Sequence, residues 1–207
     1  MLTEIPLFPL NIVVFPFSKY PLHIFENRYK IMINKCLLEK KGFGIVTKIE
    51  NELSKIGSYV EIDTILQKFD NGEMDISVQG KGRFFVKNIR THPDKYLIGE
   101  VNEYNDITSE VDPSLLAELQ NSFERIIEKA NFHLEESFWR NYEETGLKSF
   151  KLAEKSGLTL QQQQVLLTFR DENKRVNYLI GHFENIEKQI SESSSIRSLI
   201  MGDGYIN

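Results

Sequence analysis

The segment from Ile5 to Tyr29, IPLFPLNIVVFPFSKYPLHIFENRY, constrains the fold more than any other part of the chain. It is rich in apolar, β-branched and aromatic residues, which favour strands, and yet prolines stand at positions 6, 9, 16 and 21. Because proline has a fixed φ and no amide hydrogen, it occurs within sheets at edges, strand starts and bulges. The segment is therefore predicted either to be a surface edge or to bend sharply and repeatedly.

An amphipathic helix and then a series of strands are predicted after this opening. Apolar residues recur at spacings of three and four from Phe25 to Leu37, and Gly42 marks the end of the helix. The period then changes to two, and strands are predicted at 43–49, 59–69, 73–80, 83–89 and 96–104. The pair Asn71-Gly72 predicts a tight hairpin with positive φ at both residues. Five or six short strands with one early helix indicate a small closed or half-closed barrel.

The strand pattern stops after Asp106, and helices are predicted from there on. Asp112 is the expected N-cap of the first, with Pro113 at its first position. Further helices are predicted at about 136–145, 148–156, 160–169 and 171–190, with Thr159 as the cap of the helix at 160–169. The tail 191–207 is expected to extend the last helix or to be partly disordered. The sequence thus predicts an α+β chain with a β subdomain at 1–108 and an α-helical bundle at 109–207.

Composition limits the classes of function. The chain of 207 residues is 41% hydrophobic and 27% charged, which is ordinary for a globular protein, and its single cysteine is compatible with a reducing compartment, so a cytoplasmic protein is expected. No apolar run approaches the roughly 20 residues that span a bilayer. The net charge of −5 disfavours nucleic-acid binding without excluding a local basic patch.

No motif for catalysis, cofactor binding or metal binding is found. The string QGKGRF at 79–84 lacks the spacing and the hydroxyl residue of a phosphate-binding loop and is interpreted as a hairpin or bulge. The four histidines are not spaced as metal ligands, and Cys36 lies on the apolar face of the first helix, where a thiol is inert. The prediction is therefore a protein with no catalytic residues, cofactor or metal.

Two groups of residues are candidates for binding: Lys81, Arg83, Phe85 and Lys87 on one predicted strand, and His23, Glu26 and Arg28 at the start of the first helix. Alternation places residues 81, 83, 85, 87 and 89 on one face, as in strands that bind RNA, although a solvated strand face explains the same pattern. Glu26 is expected to cap the helix and to form an ion pair, and this structural role is favoured over a binding site.

The order of these features resembles the LON substrate-binding domain, the N-terminal domain of ATP-dependent Lon proteases. Its opening, of the form LPLFPL, VLFPG and LPLRIFEPRY, is matched at Pro6 to Leu10, Phe15, Pro16, Pro21, Leu22, Ile24 to Glu26, Arg28 and Tyr29. Asp70 to Gly72 and Gly80 to Phe84 are similar to a later hairpin of the family. The resemblance implies a PUA-like β pseudo-barrel with one inserted helix, followed by a helical bundle. It also implies a turn at Pro21 that leads into the first helix.

The function that the resemblance implies is recognition of polypeptide without catalysis. The ATPase and peptidase modules of Lon proteases, with their serine and lysine dyad, have no counterpart in this sequence, so no catalytic residue carries over. The first hypothesis is a module that binds unfolded or tagged polypeptide, with a Lon-type protease as a further partner, on the barrel face or between barrel and bundle. The alternative is a PUA-like RNA-binding module that uses the basic strand 81–90. A small-ligand site of the cereblon type would need a separate zinc domain, which one cysteine cannot build.

Overall fold

The chain folds as two compact units, unit 1 at Met1–Asn105 and unit 2 at Asp106–Asn207. The structure is a computed structural model and describes residues 3–107 and 111–192. The domain boundary expected at 108 and the tail from 193 onward lie outside the described residues. Unit 1 holds β1 (Thr3–Leu10), β2 (Lys19–Ile24), α1 (Asn27–Glu39), β3 (Phe43–Ile49), β4 (Glu52–Leu53), β5 (Ile56–Lys68), β6 (Met74–Thr91) and β7 (Leu97–Glu103). Unit 2 holds α2 (Pro113–Lys129), α3 (Glu136–Glu144), α4 (Lys148–Ala153), α5 (Leu160–Thr168) and α6 (Glu172–Glu192).

The sheet of unit 1 closes on itself through β1. The strands follow the order β1, β7, β6, β5, β3 with antiparallel pairing, and β1 also pairs with β3 in parallel. β1 meets β7 over Thr3–Leu7 but meets β3 only from Leu7 to Leu10. The predicted α+β class and barrel-like sheet with one early helix are confirmed.

The prolines of the opening segment lie in strands with one unpaired side or in a turn. Pro6 precedes the ladder with β3, and Pro9 follows the end of the ladder with β7. At each of them one side of β1 has no neighbouring strand, so no backbone N–H is needed on that side. Pro16 occupies a turn in which Ser18 N–H donates to the carbonyl of Phe15. The prediction of a turn at Pro21 is wrong, because this residue lies inside β2, opposite Ser77 of β6. β2 is a short edge strand there, which tolerates proline.

The hairpin predicted around Asn71 joins β5 and β6, but its geometry differs from the prediction. Only Gly72 has a positive φ, of 80°, and its N–H donates to the carbonyl of Phe69. The turn is therefore a longer loop closed by a left-handed glycine, and Asn71 contributes through its side chain, which accepts a hydrogen bond from Glu73 N–H.

The strands predicted at 73–80 and 83–89 are one strand, β6, with two bulges. Its pairing with β5 passes from Gly82 to Gly80 and skips Lys81, and its pairing with β7 passes from Val86 to Asn88 and skips Lys87. The bulge interpretation of QGKGRF is thus confirmed. The single basic face predicted for odd-numbered residues is wrong, because each bulge breaks the alternation. Arg83 is only 7% exposed, whereas Ile89 on the same predicted face is 42% exposed.

Two apolar cores lie on opposite faces of the strands of unit 1. α1 packs on one face, where Tyr29, Met32, Ile33 and Cys36 are buried with Phe8 and Ile76. Phe25, expected on the same helix face, is instead 58% exposed and precedes the helix. The other face buries Leu7, Val46, Phe84 and Val101.

A buried arginine organises unit 2. The side chain of Arg175 has no exposed surface, donates to both oxygens of Asp106 at 2.9 and 2.6 Å, and reaches Glu172 at 2.8 Å. It also lies 4.5 Å from the ring of Phe150. The predicted helix caps are confirmed: Asp112 accepts from Ser114 N–H, and Thr159 forms a capping box with Gln162. None of the described helices has the length and apolarity that crossing a membrane requires.

Close packing around Phe84 gives a testable consequence. A Cβ on Gly57 would lie 2.5 Å from the Phe84 ring and 2.6 Å from the Ile45 carbonyl oxygen, whereas a Cβ on Gly82 would meet nothing within 4 Å. Gly57→Ala is therefore expected to lower the free energy of unfolding by roughly 1–3 kcal/mol through overpacking. Gly82→Ala, the matched control, is expected to change it by less than about 0.5 kcal/mol. Urea unfolding followed by far-ultraviolet circular dichroism measures both, and equal effects at the two glycines would contradict this packing.

Candidate functional site: a groove along the open edge of β1

A groove of about 640 Å³ opens within unit 1 beside the first half of β1. Thr3, Glu4, Ile5 and Pro6 form one wall. The remaining lining comes from the end of α1, from Gly42, and from β5, β6 and β7. Cavities of a few hundred to a thousand cubic ångströms are typical of ligand sites.

The groove exists because β3 starts too late to cover the whole of β1. The first β1 residue that pairs with β3 is Leu7, opposite Gly44. Among the described residues, Thr3 to Pro6 therefore have a strand neighbour on the β7 side alone. Gly42, just before β3, is tied to β5 instead, because its N–H donates to the Tyr59 hydroxyl at 2.9 Å. The backbone edge of β1 is thus exposed to the groove.

The groove is more basic than the chain as a whole. Its lining has five Lys or Arg residues and three Glu, whereas the whole chain carries a net charge of −5. The Arg90 guanidinium holds Glu4 at 2.8 Å, and its hydrogen bond lowers the pKa of that carboxyl. Lys41 pairs with Glu39 at 3.1 Å. The side chain of Lys35 is exposed and forms no hydrogen bond or ion pair with the described part of the chain.

Two of the residues predicted from the basic strand line this groove. Lys81 is exposed at its bulge, with Nζ 2.5 Å from Gln79 Oε1 and 3.9 Å from Glu61 Oε2. Arg83 is buried, and its guanidinium lies 5.3 Å from the ring centre of Tyr104. Phe85 and Lys87 do not belong to the lining. A binding role for these four residues stays a prediction.

The other predicted group lies at a different surface, the His23 cluster, defined by His23, Phe25, Phe69, Glu73 and Asp75. The two ring nitrogens of His23 face carboxylates, Asp75 at 2.7 Å and Glu73 at 3.6 Å. Its ring stacks on Phe25 at 5.8 Å and meets the edge of Phe69 at 6.1 Å. The imidazole is thus held between two rings and two carboxylates on the surface of unit 1.

Glu26 and Arg28 form a separate ion pair of 2.7 Å at the start of α1. The pairing expected for Glu26 is confirmed. The prediction that its side chain caps the helix is wrong. Glu26 is the N-cap residue, but its side chain makes no hydrogen bond to the first turn. Arg28 also lies 4.6 Å from the ring of Tyr29, which fixes its side chain beside the helix. A binding role for His23, Glu26 and Arg28 stays a prediction.

The sequence did not predict the main elements of the groove. Nothing in the sequence singles out Lys35, and the edge of β1 is visible only once its two ladders are known. The one usable signal was Pro6, because a proline inside a strand indicates an unpaired side. Within the described ranges, 3–107 and 111–192, no group of three or more His, Cys, Asp or Glu is arranged to hold a metal ion.

Comparison with known proteins identifies the family. The family model of the ATP-dependent protease La (LON) substrate-binding domain matches residues 4–185. The chain belongs to this family. It is 27% identical over 189 residues to a Lon protease of Syntrophomonas wolfei, and it spans 23% of the length of that relative while 85% of this chain is covered.

Solved structures show the same fold. A Lon N-terminal domain protein from Xanthomonas campestris has a TM-score of 0.68 at 25% identity, covering 86% of this chain and 98% of that one. The N-terminal domain of a Mycobacterium avium complex Lon protease has a TM-score of 0.66 at 17% identity, covering 88% and 99%. The LON-type fold expected from the opening motif is confirmed. All lining residues of the groove except Thr3 lie within the residues that the family model matches.

The thiol at the groove gives a second prediction. Burial, and to a smaller extent the Glu39 carboxylate, raise the pKa of Cys36 to about 11, while Lys35 opposes the shift. Since the thiolate is the reactive form, alkylation of the folded chain by iodoacetamide at pH 8 is expected to be at least about 100-fold slower than in urea, where the thiol pKa is about 8.5. Mass spectrometry measures both rates on the single cysteine. Similar rates would show that this face of α1 is accessible.

Proposed function

We propose that this chain binds polypeptides in the groove of unit 1 and does not process them. The observation that carries the proposal is a groove of about 640 Å³ along an exposed strand edge, within a domain whose family is described as substrate-binding. An exposed edge offers backbone hydrogen bonds that any extended polypeptide can use, so it suits a module that receives many sequences.

The walls of the groove support binding and offer little for catalysis. Ile5, Phe84 and Val101 provide an apolar base, and cationic side chains surround it. The thiol in the lining is protonated at neutral pH because its pKa is about 11, which makes it a poor nucleophile. These features favour recognition over covalent chemistry. A Lon-type protease as the partner that degrades the bound polypeptide belongs to the same proposal, since the relative named above is a Lon protease.

RNA binding is the less favoured function. The RNA-binding hypothesis relied on one exposed face formed by Lys81, Arg83 and Lys87. Arg83 is instead buried beside Tyr104, and Lys87 lies in a separate bulge outside the groove. The observation in its favour is the excess of cations in the groove lining. It predicts affinity for RNA that falls steeply with salt.

Filling the groove tests the proposal. Gly82 lines it, and a side chain there meets open space, so Gly82→Leu is expected to fold while occupying the site. The variant should bind a reduced, alkylated model protein at least about fivefold more weakly than the parent chain, because the leucine excludes part of the bound segment. Gly82→Ala is the matched control and should retain binding. Biolayer interferometry with the unfolded protein immobilised measures all three.

The His23 cluster provides the competing surface in the same experiment. Phe25 is 58% exposed there, so Phe25→Ser removes apolar surface without opening the core. Under the proposal Phe25→Ser keeps its affinity and Gly82→Leu loses it. The reverse pattern would move the binding site to the His23 cluster, and no capture of unfolded protein by the parent chain would reject the function itself.

A further inference from the structure

We infer that the groove takes an acidic, extended segment of polypeptide as an added strand on the open edge of β1. This inference rests on the proposed function and goes further by stating how the segment is held and which chemistry it carries. Three features of the groove support it: the unpaired edge of β1, the open space at Gly82, and the excess of cations in the lining.

The edge of β1 provides the hydrogen bonds. Thr3 to Leu7 pair with β7, and no described residue pairs with Thr3 to Pro6 on the other side. Every second residue of a strand directs its N–H and C=O to the same side, so this stretch carries backbone groups that a further strand can join. Pro6 has no N–H to lose there. A segment of four or five residues is long enough to use the whole free edge.

The opposite wall leaves room for a passing backbone. An added Cβ on Gly82 would meet nothing within 4 Å, so the chain beside this residue faces open space. Gly42, by contrast, is closely packed, because a Cβ there would lie 2.1 Å from the Val60 carbonyl oxygen. The glycine at 42 is required by packing inside unit 1, whereas the glycine at 82 is not. Its lack of a side chain widens the groove beside β1.

The charges of the groove lining determine which polypeptide segment the groove favours. Lys35 and Lys81 are both exposed, and Lys35 has no ionic partner among the described residues. Glu4 and Glu39, by contrast, are already paired with Arg90 and Lys41. Two of the three lining carboxylates are therefore neutralised locally, and the lining as a whole keeps an excess of two cations over carboxylates. Complementary charge favours an acidic segment and disfavours a basic one.

The aromatic residues of the lining separate this ligand from single-stranded nucleic acid. Stacking of bases needs exposed ring faces. Phe84 and Tyr96 are 3% and 1% exposed, and the Tyr59 hydroxyl is engaged by Gly42. Tyr59 and His92 are only partly exposed, and one face of His92 is covered by Tyr96 at 4.3 Å. The groove thus offers an exposed backbone edge and cations but little ring surface, which favours a peptide strand.

Binding of defined peptides to the full chain tests the inference. An eight-residue peptide of alternating glutamate and threonine, with blocked ends and a neutral dye, is compared with the same peptide carrying lysine for each glutamate. Fluorescence anisotropy is expected to show at least about tenfold tighter binding of the acidic peptide. Lys35→Glu and Lys81→Glu should each weaken it about three- to tenfold, and Lys68→Glu, which makes the same charge change at an exposed site outside the groove, should not.

Backbone methylation tests the strand pairing without altering the protein. Two acidic peptides are N-methylated at every second residue, one at the odd positions and one at the even positions. An added strand directs one of these sets toward β1, so one peptide should lose at least about tenfold in affinity and the other less than about threefold. Equal affinity of both methylated peptides and the parent peptide would overturn the strand pairing.

Failure of the inference is distinguishable from failure of the proposed function. If the parent chain captures unfolded protein in a way that Gly82→Leu abolishes, but acidic and lysine peptides bind equally, polypeptide binding stands and the acidic preference is overturned. If an oligouridylate binds more tightly than the acidic peptide, with affinity that falls steeply in salt, the basic lining serves nucleic acid and both are overturned.

Discussion

The double pairing of β1 is the constraint on which unit 1 depends. This strand joins β7 through its first half and β3 through its second half, and that offset closes the sheet. Closure brings Leu7, Val46 and Phe84 into one core and requires Gly44 and Gly57 to leave space for the Phe84 ring. The same offset leaves the first half of β1 without a neighbour on one side. The packing of the domain and its candidate site therefore have one structural origin.

Local features of the sequence were sufficient to predict most of the helices and strands. The change of period after Gly42, the caps at Asp112 and Thr159 and the hairpin near Asn71 all depend on residues a few positions apart, and the structure contains each of them. The opening motif was sufficient to predict the family, because its prolines and aromatic residues follow an order that few folds require. Unit 2 was predicted as helices, but its ion network was not, since Arg175 and Asp106 are 69 residues apart.

The candidate site was largely beyond prediction from sequence because it depends on where strands pair rather than on what they contain. Strict alternation placed Lys81, Arg83 and Lys87 on one face, and two bulges that only the partner strands define separated them. Phe25 fitted the helical spacing of α1 and yet lies exposed before its first turn, beside His23. The open edge of β1 has no motif of its own. It follows from the late start of β3, which is a property of the assembled sheet.

Hydrogen–deuterium exchange of the full chain with and without an unfolded model protein tests the central claim most directly. The account predicts that binding slows exchange in the peptide that contains Thr3 to Leu10, because the free edge of β1 gains a partner strand, while peptides that contain Phe25 and Phe69 keep their rates. Slower exchange at Phe25 and Phe69 with no change at β1 would contradict it and would assign binding to the His23 cluster.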